Sequence, residues 1–339
     1  MVSAATGQFP LPVLTAPGAV PRVRAGALLV GLASALAFSS SGPIMKPLLE
    51  AGWSLGAVLL LRMAGAALVL SPALVRALVR DPQLLRRHWA LFLGFGATGV
   101  AGCQIFYFAA MQRMPVAVAL LIQYLAPVML VVWAWARTRR RPSTLVIGGS
   151  IAAIVGLVLV VDVTGVRFDL LGTLFALTAA ICVAAYFLLC DRAGEDVPPL
   201  ALASGGLVVG VVIMGVLVTT GILPFRAVAV SIDLAGLEVP WWAAIAWVAL
   251  GATTLGYALG VIAIGRLGSR VASFVGLSEV LFALLFAWAL LGEAPTLVQV
   301  LGGAILIGGV VLVRADAQVE AGGAPPSDAT APVPVVPAP

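Results

Sequence analysis

The sequence has few charged residues. Asp, Glu, Lys and Arg make up 10% of its 339 residues, whereas a typical soluble domain has about 25%. So little charge excludes a soluble globule, whose surface it could not cover, and a disordered chain, which needs far more polar residues. Histidine occurs once and cysteine three times, as Cys103, Cys182 and Cys190 in apolar stretches. A disulfide scaffold is therefore excluded, and the cysteines are interpreted as small core residues.

Apolar residues dominate the chain instead. They account for 62% of it, and the mean hydropathy is +1.14. A helix crosses the hydrocarbon core of a bilayer with about 20 apolar residues, and ten such runs are present. The spans must be helical because lipid offers no partner to open backbone groups, and the short alternating segments of a β-barrel are absent from the sequence. The predicted spans are residues 25–45, 54–75, 89–110, 115–136, 143–161, 170–190, 199–221, 241–264, 271–291 and 296–313.

The positions of Lys and Arg predict the orientation. If the N-terminus lies inside, fourteen of the nineteen basic residues fall in cytoplasmic segments, four fall outside and Arg62 lies within a span. This bias predicts a multi-pass protein of the plasma (inner) membrane with both termini in the cytoplasm. The net charge is +5, but the basic residues stand in short runs between apolar segments. This placement is typical of residues that orient a membrane protein, so no nucleic-acid partner is predicted.

An internal repeat becomes visible when the sequence is compared with itself after a shift of 153 residues. Thirteen of the 48 positions between 113 and 160 are then identical to their counterparts, where composition alone would give about five. The rare residues are the most informative, since Arg113 falls on Arg266 and Trp135 falls on Trp288. The sequence therefore predicts a duplicated unit.

Each predicted unit holds five helices, so the second unit must enter the membrane upside down. Inverted repeats are typical of secondary transporters, whose substrate site lies near the midplane between the halves. The predicted fold is an all-α integral membrane protein with ten transmembrane helices in two inverted five-helix repeats. The predicted organisation is a flexible tail (1–24), a first repeat (25–161), a second repeat (170–313) and a disordered tail (314–339).

Short motifs along residues 25–313 resemble a known group of transporters. The sequence is similar to the drug/metabolite transporter superfamily, specifically to its EamA-type ten-helix members. The motifs are Gly31 with Phe38, Pro43 and Lys46-Pro47-Leu48-Leu49; Leu61-Arg62; Leu125-Ala126-Pro127-Val128; Gly172 to Leu177; Ser278-Glu279-Val280; Trp288 to Thr296; and Gln299, Gly302-Gly303 and Gly308.

This resemblance implies movement of a small solute across the membrane. Members export or import metabolites, amino acids, or lipophilic and cationic compounds, usually with coupling to protons or another gradient. Two positions depart from the family pattern. Val280 stands where the family often has proline after the glutamate, which gives no reason to expect a kinked ninth helix, whereas Pro127 favours a kink in the fourth. Arg140 stands where the first half often has an acidic residue.

Two ionisable residues lie deep within predicted spans. An ionisable group at membrane depth costs about 2.5–3.5 kcal/mol or more, so each is a candidate site residue. Glu279 is interpreted as a proton-binding carboxylate linked to cavity opening, or alternatively as a structural carboxylate held by hydrogen bonds. Arg62 is interpreted as an anchor for a substrate carboxylate, or alternatively as a structural partner of Glu279 or of backbone carbonyls.

Further polar residues in the apolar helices complete the candidate site. Gln104 and Tyr257 are 153 residues apart and so occupy equivalent repeat positions. They are interpreted either as substrate-orienting groups or as hydrogen bonds between helices. Gln123 and Tyr124 precede Pro127 and have the same two interpretations, while Ser278 adjoins Glu279.

The sequence favours a transporter over an enzyme. Chemistry on a lipid-linked substrate, one alternative, would need clustered carboxylates or histidines, often with a metal. Exchange of a phosphorylated or nucleotide-linked sugar across the membrane, another alternative, would need several cationic groups in the cavity. The predicted partners are a small-molecule substrate and the bilayer, with no cofactor and no metal. The sequence leaves open the substrate, the direction, the coupling ion and the choice between monomer and homodimer.

Overall fold

The computed structural model describes residues 25–111, 113–114, 116–139, 141–161, 169–193, 196–292 and 294–322. The predicted tail at 1–24 lies outside the described residues. In chain order the elements are α1 (Ala25–Ser39), α2 (Ser41–Glu50), α3 (Leu55–Arg80), α4 (Leu84–Phe95), a first π-helical turn (Gly96–Gly102), α5 (Cys103–Met111), α6 (Val116–Gln123), α7 (Ala126–Thr138), α8 (Thr144–Val161), α9 (Leu170–Ala193), α10 (Pro199–Thr219), β1 (Ser231–Leu234), β2 (Leu237–Pro240), α11 (Trp241–Trp247), a second π-helical turn (Val248–Thr254), α12 (Leu255–Gly276), α13 (Ser278–Leu291) and α14 (Leu297–Gly322).

The described residues form an all-α membrane protein with one small β-hairpin. Seven helical segments are long and apolar enough to cross a membrane: Ala25–Glu50, Leu55–Arg80, Leu84–Ala110, Leu121–Thr138, Leu170–Ala193, Pro199–Thr219 and Trp241–Gly276. Three shorter apolar helices cover Thr144–Val160, Ser278–Leu291 and Leu297–Val313. The count of ten membrane crossings stays a prediction.

Apolar side chains divide between a protein core and an outer surface. The largest buried cluster joins several helices through side chains such as Leu48, Met63, Leu207 and Ile264. Other large apolar side chains, among them Leu29 and Leu68, are mostly exposed. An apolar outer surface is expected where lipid, and not water, surrounds the helices.

Two predicted boundaries are wrong. The predicted ninth span, 271–291, is two helical pieces, because α12 continues to Gly276 and α13 begins at Ser278. The predicted disordered tail from residue 314 starts too early, because α14 continues to Gly322 and buries Asp316. A buried polar contact, described below, holds this helical extension. The rest of that tail lies outside the described residues.

Helix interruptions recur at equivalent positions of the two halves. α6 ends at Gln123 and α12 ends at Gly276, which is 153 residues later. Pro127 explains the first interruption, because a proline ring excludes the carbonyl group four residues earlier, that of Gln123. The second interruption has no proline, and Leu277, the residue between α12 and α13, keeps a right-handed helical conformation (φ −60, ψ −20). At the start of α13, the amide of Val280 donates a hydrogen bond to the carbonyl of Leu277, which is three residues earlier (3.1 Å).

Glycines bring α8 and α14 into direct backbone contact. A β-carbon placed on Gly149 would lie 2.8 Å from the carbonyl oxygen of Gly309, and one on Gly156 would lie 2.6 Å from that of Gly302. The reverse distances are 2.6 Å for Gly309 to Gly149 and 2.8 Å for Gly302 to Gly156. The pairing order shows that the two helices run antiparallel. Close approach through small residues is a common way to pack helices in lipid, where the hydrophobic effect is absent.

A β-hairpin that the sequence did not predict connects α10 to α11. β1 pairs antiparallel with β2 from Ser231–Pro240 to Leu234–Leu237. Ala235 and Gly236 both have positive φ, as a two-residue hairpin turn of the primed type requires. Ile232 and Leu234 are buried beneath the hairpin, and the amide of Ala235 donates a 2.9 Å hydrogen bond to the carbonyl of Leu290 in α13. The hairpin is therefore attached to the C-terminal end of α13.

Candidate functional site

Glu279 lies in the first turn of α13, directly after the helix interruption. A helix N-terminus favours a negative charge because its free N–H groups point outward from the first turn. The Tyr124 side chain, at the equivalent interruption of the first half, lies close to the Glu279 carboxylate and interacts with it electrostatically. Both side chains remain partly exposed. The two interruptions therefore meet at the acid that the sequence singled out.

The tyrosines of the protein surround this carboxylate. The chain has four, and all of them interact electrostatically with Glu279: Tyr107, Tyr124, Tyr186 and Tyr257. The rings of Tyr186 and Tyr257 lie 6.3 Å apart and also pack against Phe95. Glu279 thus faces an aromatic interior rich in phenol groups.

Arg62 is buried in α3, with 8% of its surface exposed. Its Nε atom donates to the Thr253 hydroxyl at 2.9 Å, and its Nη1 atom donates to the Met45 sulfur at 3.7 Å. Arg62 interacts electrostatically with Glu279, but the ion pairs of the described residues are Arg87–Asp81 and Arg270–Asp316. The predicted structural pairing of Arg62 with Glu279 or with backbone carbonyls is therefore replaced by bonds to a hydroxyl and a thioether.

Gln104 and Tyr257 lie close together. The Gln104 amide donates to the carbonyl of Val100 at 3.0 Å, and the neighbouring Tyr257 hydroxyl donates to the carbonyl of Gly99 at 2.9 Å. Gly99 lies in the first π-helical turn, where the widened helix changes the carbonyl pairing. The second π-helical turn holds Thr253, the partner of Arg62. Both π-helical turns therefore supply polar contacts to the candidate site.

The remaining predicted residues differ in their surroundings. Ser278 is the first residue of α13 and is partly exposed beside Glu279. Gln123 is the last residue of α6, and its Oε1 atom is buried without a hydrogen-bond partner among the residues that the structure describes. The structure thus brings together Glu279 with Tyr124 and Gln104 with Tyr257. Arg62 interacts electrostatically with both groups.

Sequence reasoning missed four residues of this site: Met45, Tyr107, Tyr186 and Thr253. The scarcity of tyrosine was a usable signal, because tyrosine often lies at membrane interfaces and here all four interact electrostatically with one acid. Thr253 gave no signal, since a threonine in an apolar helix commonly bonds to its own backbone.

The arrangement provides one acid, one base and several neutral donors. Arg62 is the one basic residue among the buried residues of the described chain. The same described portion contains no group of three His, Cys, Asp or Glu residues that could hold a metal ion. Such a site suits reversible binding of a small polar solute.

Comparison with known proteins identifies similar chains. The Threonine/homoserine exporter RhtA of Escherichia coli (strain K12) is 28% identical over 307 residues, which cover 86% of this chain and 93% of that protein. The protein of the same name from Salmonella typhimurium (strain SL1344) is 26% identical over 235 residues, covering 67% and 73%. A solved crystal structure, 20% identical, superposes with a TM-score of 0.68 over 85% of this chain and 96% of that one, which shows a shared fold.

The family assignment rests on most of the chain. The sequence profile described as "EamA-like transporter family" matches residues 25–162 and again residues 170–315. The resemblance inferred from the motifs is thereby confirmed, and the protein is a multi-pass membrane protein of a transporter family. The chain belongs to the EamA-like transporter family.

Proposed function

We propose that this protein is a secondary transporter that exports a small amino-acid-like solute by alternating access, with the solute bound beside Glu279. The observation that carries the proposal is the placement of Glu279 and Arg62, which interact electrostatically in the protein interior without a close ion pair. Two opposite charges held apart match a zwitterion, whose ammonium group would approach the carboxylate and whose carboxylate would approach the guanidinium.

Several contacts support an inverted repeat, on which alternating access depends. Under the shift of 153 residues Gly149 corresponds to Gly302 and Gly156 to Gly309, so the α8–α14 contact maps onto itself. Self-complementary contacts of this kind are typical of two units related by a two-fold axis. Gln104 and Tyr257 are also equivalent, and they lie close together. A solute site near such an axis can be exposed to each side in turn.

The relatives support the choice of solute class. The similar proteins are named exporters of threonine and homoserine, which are small zwitterions. A lipophilic cation, the other class that the sequence left open, would use Glu279 and the tyrosine faces but leave Arg62 without a role. We therefore place amino acids first.

Proton coupling would act at Glu279. A carboxylate that binds a proton in one state and a solute ammonium group in the other links the two fluxes. Tyr124 would hold the carboxylate in place in both states through its hydroxyl. We further propose the plasma (inner) membrane as location, with both termini in the cytoplasm.

The two alternatives receive less support. A phosphorylated or nucleotide-linked sugar carries at least two negative charges, whereas Arg62 is the one buried base of the described chain. An enzyme acting on a lipid-linked substrate would need a cluster of catalytic groups, and the groups around Glu279 are phenols.

The proposal is tested with inside-out membrane vesicles under an imposed pH gradient. Radiolabelled L-threonine and L-homoserine are compared with tetraphenylphosphonium and glucose 6-phosphate. We expect gradient-dependent accumulation of the amino acids, and a fall of about tenfold or more in Glu279→Gln. Glu238→Gln, an exposed hairpin acid, is the matched control and should transport normally. Failure of the wild type to accumulate either amino acid would refute the proposed solute class.

A further inference from the structure

A short stretch of chain immediately before Glu279 is set apart by two interruptions. Gly268 has φ +76 and ψ 158, which breaks the helical path of α12, and α12 ends at Gly276 before α13 begins. We call residues 269–277 the plug segment. Because Ser278 and Glu279 follow directly, any rotation of the plug segment moves the start of α13.

The plug segment is buried between helices from both halves of the chain. Phe274 and Leu277 are 1% and 3% exposed, and they pack in one cluster with Leu157 of α8 and Leu306 of α14. On the opposite side, a β-carbon on Gly31 of α1 would lie 3.1 Å from the Val275 side chain. The plug segment therefore fills the space between α1, α8 and α14.

Two polar contacts fix the beginning of the plug segment. The Ser269 hydroxyl donates to Asp191 Oδ2 at the end of α9 (3.1 Å). Arg270 Nη2 lies 3.9 Å from Asp316 Oδ2 of α14. We call these the two anchoring contacts. They tie the segment to two different helices, both at the predicted cytoplasmic end.

Asp316 is the unusual member of this group. It is 4% exposed, and its Oδ2 atom has no hydrogen-bond partner within the described residues. A buried carboxylate oxygen without such a partner is costly unless a nearby opposite charge compensates it, and Arg270 provides that charge. Moving Arg270 away would leave the Asp316 carboxylate uncompensated. The ion pair therefore favours one position of Arg270, and hence of the plug segment.

We propose that the Arg270–Asp316 ion pair, with the Ser269–Asp191 hydrogen bond, holds the plug segment in place and so controls access to Glu279 from the predicted cytoplasmic end. Asp316 is then a positioning residue that acts on the candidate site through Arg270. As a statement about gating, the inference rests on the proposed function. Release of the anchoring contacts would let the plug segment turn at Gly268 and open a path to the carboxylate.

The test measures access and requires no solute. Ser278→Cys is introduced into a background in which Cys103, Cys182 and Cys190 are replaced by alanine. A membrane-impermeant methanethiosulfonate reagent is applied to inside-out and to right-side-out vesicles, and the modification rate is measured. The anchoring contacts are altered by Asp316→Asn, by Arg270→Gln, and by the mild change Ser269→Ala in case the charge variants fold poorly.

We expect each variant to raise the modification rate from the cytoplasmic face by roughly fivefold or more, as typical coupling energies allow. The rate from the other face should stay constant or fall. The charge exchange Arg270→Asp with Asp316→Arg should restore the slow rate, because the ion pair is re-formed with its ends exchanged. Asp81→Asn breaks the exposed ion pair Arg87–Asp81 and is the matched control, with no expected change.

Three outcomes would overturn the inference: equal increases from both faces, which indicate general loosening, no increase in any variant, or no rescue by the charge exchange. The proposed function fails separately, through absent amino-acid flux in the vesicle assay. A normal flux with unchanged access would therefore reject the plug segment alone.

Discussion

Gly156 of α8 and Gly302 of α14 are in backbone contact: a β-carbon on Gly156 would lie 2.6 Å from the carbonyl oxygen of Gly302 and 2.4 Å from the amide nitrogen of Leu306. Neither atom can move aside, because both belong to the main chain of a helix. The α8–α14 pair therefore depends on the absence of a side chain at this position.

Gly156→Ala should destabilise the protein by about 1–3 kcal/mol, the usual cost of forced overpacking. The free energy of unfolding in detergent micelles gives the measurement. Gly148→Ala is the matched control. Gly148 lies in the same helix, and a β-carbon placed there would have no neighbouring atom within 4 Å. Equal stability of the two variants would show that the close approach is not required.

Thr253→Val should destabilise the protein by about 1–3 kcal/mol, because it leaves the buried Arg62 Nε donor without its acceptor. Thr254→Val is an internal control: Thr254 makes the same kind of bond to its own backbone, at 2.8 Å to Ala249, as Thr253 makes to Val248 at 2.7 Å. Thermal unfolding of both variants separates the Arg62 contact from the backbone contact. Similar losses in both would contradict a specific role for the arginine.

Tyr124→Phe should weaken solute affinity by about tenfold, which corresponds to about 1.4 kcal/mol, because it removes a hydroxyl group that interacts with the Glu279 carboxylate. The affinity follows from the concentration dependence of vesicle uptake. In a Glu279→Gln background the same substitution should add little, since the two residues act together. Additive effects would place Tyr124 outside the site.

Reporter fusions test the inverted topology. Green fluorescent protein fused after Arg141 should fluoresce, because Arg139, Arg140 and Arg141 are predicted to lie in a cytoplasmic loop. Alkaline phosphatase fused after Ala294 should be active, because this equivalent position of the second predicted repeat would lie outside in the inverted arrangement. Activity of the same reporter at both positions would rule out the inversion.

The sequence predicted the helical membrane fold and the family, because apolar run length and placement of basic residues are local properties. It also singled out Glu279, since an acid within an apolar run is rare. It did not predict the interruption at Leu277, which lacks a proline, or the partner of Arg62. Both depend on contacts between residues far apart in the chain, such as Thr253 with Arg62, 191 positions earlier.

The hairpin was missed for a related reason. Its turn, Ala235-Gly236, requires positive φ at both residues, and alanine is an uncommon choice there. The strands are only four residues long, so their alternation gives a weak pattern. Burial of Ile232 and Leu234 against the helices, which the sequence does not encode locally, stabilises the hairpin.

The hydrogen bond from Ala235 to Leu290 links the hairpin to the far end of the helix that begins next to Glu279. Because α13 is one continuous helix of 14 residues, a displacement at one end would be transmitted to the other. A fluorophore on the exposed Asp233 or Glu238 would therefore report, from the surface of the protein, movement of the Glu279 carboxylate during a transport cycle.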